Sequence, residues 1–208
     1  MSALAAVTQH KRVLDLFEQV AVLALYTWLV IRLWPAEFSP SNWYPVLLLL
    51  SEGLVVLLLL IRRPTDRIST RGVDWALAVG GTFVVLLVGQ GGPPLHGPLG
   101  AMLMLIGLVI HVGAKLSLLR SFGVVAANRG VKAGGLYRLV RHPMYAGYML
   151  THAGFLLVAP SLWNLAVYAV AWAFLIARIY AEEKVLSEDP AYQVLKGRVR
   201  YRLLPGIF

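Results

Sequence analysis

Apolar residues along this chain gather into runs separated by short polar breaks. The runs fall at roughly 14–33, 43–61, 73–89, 98–119, 144–159 and 162–180. Each approaches the ~20 residues that carry a helix across ~30 Å of hydrocarbon. The third and fifth are short and require tilt or support from neighbours. Inside a bilayer no water satisfies backbone N–H and C=O groups, so a helix is expected for every run. Three breaks carry strong punctuation: "WPAEFSPSNWYP", "RRPTDRISTR" and "GQGGPPLHGP". The pattern predicts an all-α, polytopic transmembrane helical bundle of about six spans. Residues 1–97 hold the first three. Residues 98–208 hold the other three, a polar loop and a polar tail, within one integrated membrane domain.

Composition and charge agree. Of 208 residues, 59% are hydrophobic and 14% charged, against about half and about a quarter in soluble domains. Mean hydropathy is +0.71. With the N-terminus in the cytoplasm, every one of the 19 Lys and Arg except Arg32 falls on the cytoplasmic side. Lys115 and Arg178 are counted there as near-interface residues. The positive-inside rule then places both termini in the cytoplasm, with Arg32 snorkelling from the outer end of the first run. The formal net charge of +9 reads as topology and as attraction to anionic lipid. No soluble basic domain exists to carry nucleic-acid binding. The N-terminal "MSALAAVTQHKRVLDLFEQV" puts its basic pair after an apolar patch and does not read as a signal peptide. The chain has no cysteine, which excludes disulfides, thiolate metal sites and Cys nucleophiles. No metal is expected.

The halves differ in character. The first three runs are bulk hydrophobe, with Glu52 alone in the second, read as a buried or paired carboxyl. From the fourth run onward, His111, Lys115, His152, Asn164 and Arg178 enter the apolar segments. Ionisable residues there face a cavity or a partner, and for the two histidines a hydrogen bond to a neighbouring helix serves equally well. Ala169, Ala173, Ala177 and Ala181 recur every fourth residue, which permits close helix packing.

The densest chemistry lies in "GGLYRLVRHPMYAGYML", residues 134–150. Pro143 suits the first turn of a helix, which puts His142 at the cap and Arg141 just before it. Free N–H groups at a helix start, with a nearby Arg, attract anions. Tyr145, Tyr148 and His152 share one helical face, and Gly147 permits close approach to the backbone. The preceding "AANRGVKAGG" reads as a flexible basic loop able to fold over a ligand. After the next run, "ARIYAEEKVL" carries Arg178, Glu182 and Glu183. Arg178 and Glu182 have ion-pair spacing, and the adjacent carboxylates also suit an organic cation. The last two runs are joined by few residues and form an antiparallel hairpin, so these two clusters meet at one depth. Anion-binding and cation-binding corners beside aromatic faces suit a zwitterion carrying a flat ring.

These two motifs, in this order and at this separation, resemble the isoprenylcysteine carboxyl methyltransferase and phospholipid methyltransferase superfamily. The family pattern is Gly-x-Tyr-x-x-x-Arg-His-Pro-x-Tyr-x-Gly, then Arg-x-x-x-Glu-Glu-x-x-Leu. It is matched at Gly135, Tyr137, Arg141, His142, Pro143, Tyr145, Gly147, Arg178, Glu182, Glu183 and Leu186. The resemblance spans about residues 98–208. It implies an integral membrane enzyme, of the inner membrane in a bacterium, that binds S-adenosylmethionine at the cytoplasmic ends of its last helices. A lipophilic substrate enters from the bilayer. Arg141, His142 and Tyr145 would be catalytic. Tyr137, His142, Pro143, Tyr145, Gly147, Arg178, Glu182 and Glu183 would hold the cofactor. The expected acceptor is an isoprenylcysteine-type carboxylate, with a phosphatidylethanolamine amine or another small acceptor as alternatives. Two departures bear on substrate class: Leu195 stands where the family shows a second Tyr after Tyr192, and Arg129-Gly130-Val131 replaces His-x-Leu-Val. Two rival readings are a non-catalytic membrane scaffold and an NADPH-dependent sterol-type reductase, whose motif differs around Arg-His.

Overall fold

The computed structural model describes the backbone of residues 3–33 and 44–208, and the side chains of 7–28, 30, 31 and 53–208. The break expected after the first run, and the side chains of Arg32 and Glu52, lie outside the described residues or side chains. Seven α-helices follow in order: α1 (Ala3–Leu33), α2 (Tyr44–Ile61), α3 (Gly72–Phe83), α4 (Gly97–Leu118), α5 (Pro143–Val158), α6 (Leu162–Leu186) and α7 (Pro190–Arg198). The first six occupy the six apolar runs, and α7 lies in the polar tail. Among the described residues there is no strand, only an isolated bridge between Ile68 and Ala127. Among the described residues, two helical stretches, Gly97–Ser121 and Leu162–Leu186, are long and apolar enough to cross a membrane.

The third run departs from a simple span. Its α-helix stops at Phe83, and a 3₁₀ turn, Val84–Leu87, completes it. This stretch leans on α6: a Cβ at Gly80 would lie 2.8 Å from the Phe174 ring. Its outer end is pinned by Asn164 of α6, which is fully buried. The Asn164 amide accepts from Gly89 N at 3.0 Å and donates to Gly89 O at 3.2 Å and Ala159 O at 3.0 Å. Asn164 is thus a satisfied structural residue, as a buried amide must be. The alanine row reads differently from expectation. Ala169 and Ala173 face outward and Ala177 is half-buried, and of the row only Ala181 joins the buried face of α6, with Val167, Tyr168, Ala171, Leu175, Arg178 and Ile179.

The last two runs form the expected hairpin, with His152 of α5 against Tyr168 and Trp172 of α6, but the more intimate neighbour of α5 is α4. Gly100 and Gly107 of α4 face Gly154 and Gly147 of α5. A Cβ at Gly107 would lie 2.6 Å from Gly147 O, one at Gly147 2.8 Å from Gly107 O, and one at Gly154 2.6 Å from Gly100 O. Small residues in register let two backbones touch, which replaces the missing hydrophobic drive between helices in lipid. The close approach to Gly147 is therefore by α4, not by a ligand.

At the polar end, α1, α2 and the loop between α4 and α5 meet in a buried ion network. Arg62 donates to Glu18 at 2.6 Å and to Asp15 Oδ1 at 3.0 Å, and its Nη2 also bonds the Asp15 carbonyl. Arg129 Nη2 lies 2.5 Å from Asp15 and 2.7 Å from Glu18. Glu18 Oε1 accepts from the backbone N–H groups of Val124 and Val125 at 2.7 and 3.0 Å. All four side chains are at most 3% exposed. The loop after α2 joins the assembly through Ser69 N to Ala126 O (2.9 Å) and Asn128 N to Arg67 O (2.8 Å).

Gly107→Ala is expected to destabilise the bundle by about 1–3 kcal/mol, the usual cost of overpacking, because its Cβ would meet backbone. Gly53→Ala, with nothing within 4 Å of its Cβ, should be neutral. Thermal unfolding of the two variants in one detergent checks the contrast.

Candidate active site

Arg141, His142 and Pro143 form the entry to α5 as the sequence predicts. His142 is the N-cap residue and Pro143 occupies the first turn. The His142 carbonyl accepts from Tyr145 N and Ala146 N at 3.1 and 3.2 Å, while its imidazole makes no cap bond and is left for other partners. The tail after α7 straps this corner: Arg141 N donates to Tyr201 O at 3.0 Å, and His142 N to Arg202 O at 2.8 Å. Just upstream, Gly135 has φ +59°, and a Cβ there would lie 2.6 Å from Ser117 Oγ. This glycine lets the 3₁₀ turn Gly135–Arg138 present Tyr137 inward.

The two adjacent carboxylates of α6 separate in role. Glu183 is buried beneath the corner. It accepts from Arg141 Nε at 2.9 Å and Arg202 Nε at 3.0 Å, and His142 Nε2 lies 3.3 Å away. Arg141 also donates to Val199 O at 3.2 Å. Arg141 thus shares the Glu183 carboxylate with Arg202. Glu182 is more open. It accepts the Tyr145 hydroxyl, and His142 Nδ1 lies 3.7 Å from its other oxygen. Arg178 sits 4.0 Å from Glu182, a loose form of the expected ion pair. It instead donates to Val124 O at 2.8 Å and covers the Tyr145 ring at 5.4 Å.

Two cavities adjoin this cluster. One, of about 90 Å³, lies under the loop and α7, with Arg129, Tyr137, Arg141, His142, Tyr145 and Glu182 among its walls. The other, of about 350 Å³, runs into the apolar bundle between α1, α3, α4, α5 and α6, with Lys115, Tyr148, His152 and Arg178 as its polar lining. Gly123, Met144 and Tyr145 line both. A Cβ at Gly123 would overlap Arg129 Nη1, so a bare backbone is required at this junction.

Of the predicted site residues, Tyr137, Arg141, His142, Tyr145 and Glu182 face the first cavity and Arg178 the second. Glu183 and Pro143 support the corner from behind, and Gly147 is absorbed by the contact with α4. His152 accepts from Trp172 Nε1 at 3.2 Å and stacks on Tyr168 at 4.3 Å. It also lines the second cavity, so both readings of this histidine hold. His111 packs on Tyr148 at 4.8 Å, with its Nδ1 buried and unpartnered. Arg129 and Gly123 were not singled out from sequence as site residues. The only trace of Arg129 was its departure from the family pattern. Leu195, the other departure, also lines the first cavity.

The donor set of the first cavity fits an amino-acid-bearing nucleoside sulfonium. Glu182 offers an anion for its cationic centre and Tyr137 an aromatic wall. The Tyr192 hydroxyl and Arg129 Nε are buried there without hydrogen-bond partners. Burial raises the Tyr137 and Tyr192 phenols above their ordinary value of 10.0, so both stay neutral hydrogen-bonding groups. The volume is below the ~300 Å³ typical of small-molecule sites, and the loop and α7 meet over it. Asn128 and Asp189 hold them together, with the Asn128 amide donating to Asp189 at 2.7 Å.

Glu182→Gln is expected to weaken S-adenosylhomocysteine binding about tenfold, the effect of losing one charge-assisted contact, with little change in melting temperature. Glu183→Gln should instead lower the melting temperature, because it leaves Arg141 and Arg202 without their shared anion. Calorimetry and thermal unfolding on the two variants separate the roles. The Asn128–Asp189 contact should also be acid-labile. The Asn128 amide, with the Ala191 N–H and Arg67, holds the Asp189 carboxyl below its ordinary value of 3.8. A depressed folded-state value stabilises the closed form above the unfolded value and loses that contribution as pH falls through the folded one. Hydrogen exchange of α7 should therefore be constant from pH 7 to 5 and accelerate, beyond its intrinsic rate, below pH ~4.

The phospholipid methyltransferase family model matches residues 96–189. Protein-S-isoprenylcysteine O-methyltransferase A of Arabidopsis thaliana is 29% identical over 103 residues, which cover 47% of this chain and 52% of that protein. The chain thus spans about half the length of the curated relative it matches. Both matches fall on the half that carries the Arg-His-Pro corner and the paired glutamates, and that half is similar to phospholipid methyltransferases and to an isoprenylcysteine methyltransferase.

Proposed function

We propose that the protein is an integral membrane methyltransferase that uses S-adenosylmethionine and acts on a lipophilic acceptor, the carboxylate of an isoprenylcysteine-type compound. In this reading the six apolar helices span the bilayer, both termini are cytoplasmic, and the substrate enters from the lipid. The observation that carries the reading is the junction of two unlike cavities at Gly123, Met144 and Tyr145. A polar donor pocket opens onto an apolar acceptor pocket through one shared wall, which suits a transfer between a water-soluble donor and a lipid-soluble acceptor.

When bound, S-adenosylmethionine supplies a methyl group on a positively charged sulfonium, displaced in line by a nucleophile. The chain's contribution is then placement and exclusion of water. Glu182, held by the Tyr145 hydroxyl, draws the cationic centre toward the junction. Met144 and Tyr145 keep water out of it. Glu183 locks Arg141 and His142 so that the corner keeps its shape. Among the described residues, the acceptor cavity is lined by Lys115 and Arg178 and by no carboxylate. That electrostatic balance favours an anionic acceptor head over a cationic amine. A carboxylate nucleophile also requires no general base. A phospholipid amine would require one, and His142 is the group at hand.

Calorimetric titration of the detergent-solubilised protein with S-adenosylhomocysteine, and separately with NADPH, tests the cofactor. Selective binding of the first is expected. Selective binding of NADPH would move the chain to the reductase reading, and no binding by folded protein to the scaffold reading. With S-adenosylmethionine, a prenylcysteine acid should be methylated and phosphatidylethanolamine should not. The reverse preference would overturn the carboxylate assignment.

A further inference from the structure

Arg129 belongs at once to the buried ion network and to the wall of the donor cavity. Its Nη2 is spent on Asp15 and Glu18 of α1, while its Nε is buried with no hydrogen-bond partner. The same two carboxylates hold Arg62, so the four charges sum to zero and none is left over to repel a further anion. The cavity's other cations are Arg141, which shares Glu183 with Arg202, and Lys132. Gly123, with no side chain, lets the Arg129 guanidinium pack directly on its backbone. Glu182 contributes the cavity's anion.

We propose that Arg129 is the anion-binding residue of the donor pocket, taking the carboxylate of the donor's amino-acid arm, and that Asp15 and Glu18 are positioning residues that hold it. This rests on the methyltransferase reading. A guanidinium fixed by two carboxylates has already lost its side-chain freedom, so a further contact costs little ordering entropy. The unpartnered Nε is a desolvated donor whose pairing a carboxylate restores. The inference gives the N-terminal helices, which lie outside the matched segment 96–189, a place in the site: α1 supplies the anchor for a residue of the catalytic half.

The test uses the full chain in detergent and two probes: S-adenosylhomocysteine, and 5′-methylthioadenosine, which keeps the nucleoside and the thioether but lacks the amino-acid arm. Arg129→Gln is expected to weaken the first about tenfold or more and to leave the second unchanged. Arg129→Lys, which keeps the charge but not the fork, should fall between. Asp15→Asn, which loosens the anchor without touching the cavity, should lower the preference for the first probe by a smaller factor, and Arg129→Lys, which keeps the buried charges balanced, carries the test if Arg129→Gln does not fold. Equal weakening of both probes, or of neither, would overturn the proposal. Failure of the unaltered protein to bind either probe would instead remove the methyltransferase reading beneath it.

Discussion

The fold depends on four charges that have left water together. Asp15, Glu18, Arg62 and Arg129 come from a first helix, the end of a second and a loop more than a hundred residues later. Removing any one would leave a buried, uncompensated charge, and such breakage costs about 3–5 kcal/mol. Replacing the whole set by apolar residues would be tolerated far better. The network therefore acts more as a specification than as a reserve of stability. It defines where the loop over the donor cavity sits, because Glu18 also accepts the N–H groups of Val124 and Val125.

From that anchor the site divides into three layers of chemistry. The first layer, Glu183 with Arg141, Arg202 and His142, fixes the start of α5 and turns Arg141 and His142 toward the first cavity. The junction layer, Tyr145 with Glu182 and Arg178, faces both cavities. The third layer is the apolar cavity between helices, where Lys115, His152, Tyr148, Tyr26 and Thr82 are the polar groups. Two glutamates adjacent in sequence fall in different layers because successive residues on a helix point about 100° apart. One turns beneath the corner while the other faces the cavity.

Much of this was legible in the chain itself. Every apolar run became a helix, since hydrophobic segregation and Pro/Gly breaks are local properties. The Arg-His-Pro corner and the Glu-Glu pair do meet, as a short connection between the last two runs requires. Three features were hidden because they are pairings between distant elements. Asp15 and Glu18 sit in an apolar run with nothing local to name Arg129 as their partner. Gly147 looked like a place for a ligand because close approach to a glycine does not reveal who approaches. The alanine row on α6 suggested a packing face, yet the helix turns a different face inward, where Asn164 and Arg178 find their bonds. Small residues permit contact, whereas buried polar groups demand it.

The glycine contact between α4 and α5 bears on how such a chain can change over generations. Both helices place their glycines seven residues apart, so the two points of touch are fixed against each other in an antiparallel frame. A single inserted or deleted residue between Gly100 and Gly107, or between Gly147 and Gly154, would rotate one glycine away and bring a side chain into backbone. A change in length is therefore tolerated only outside the two glycine pairs. The stretch between α4 and α5 lies outside them and carries Arg129 and the cover of the polar cavity, so a change of length there would act on what the cavity admits and leave the helix contact intact.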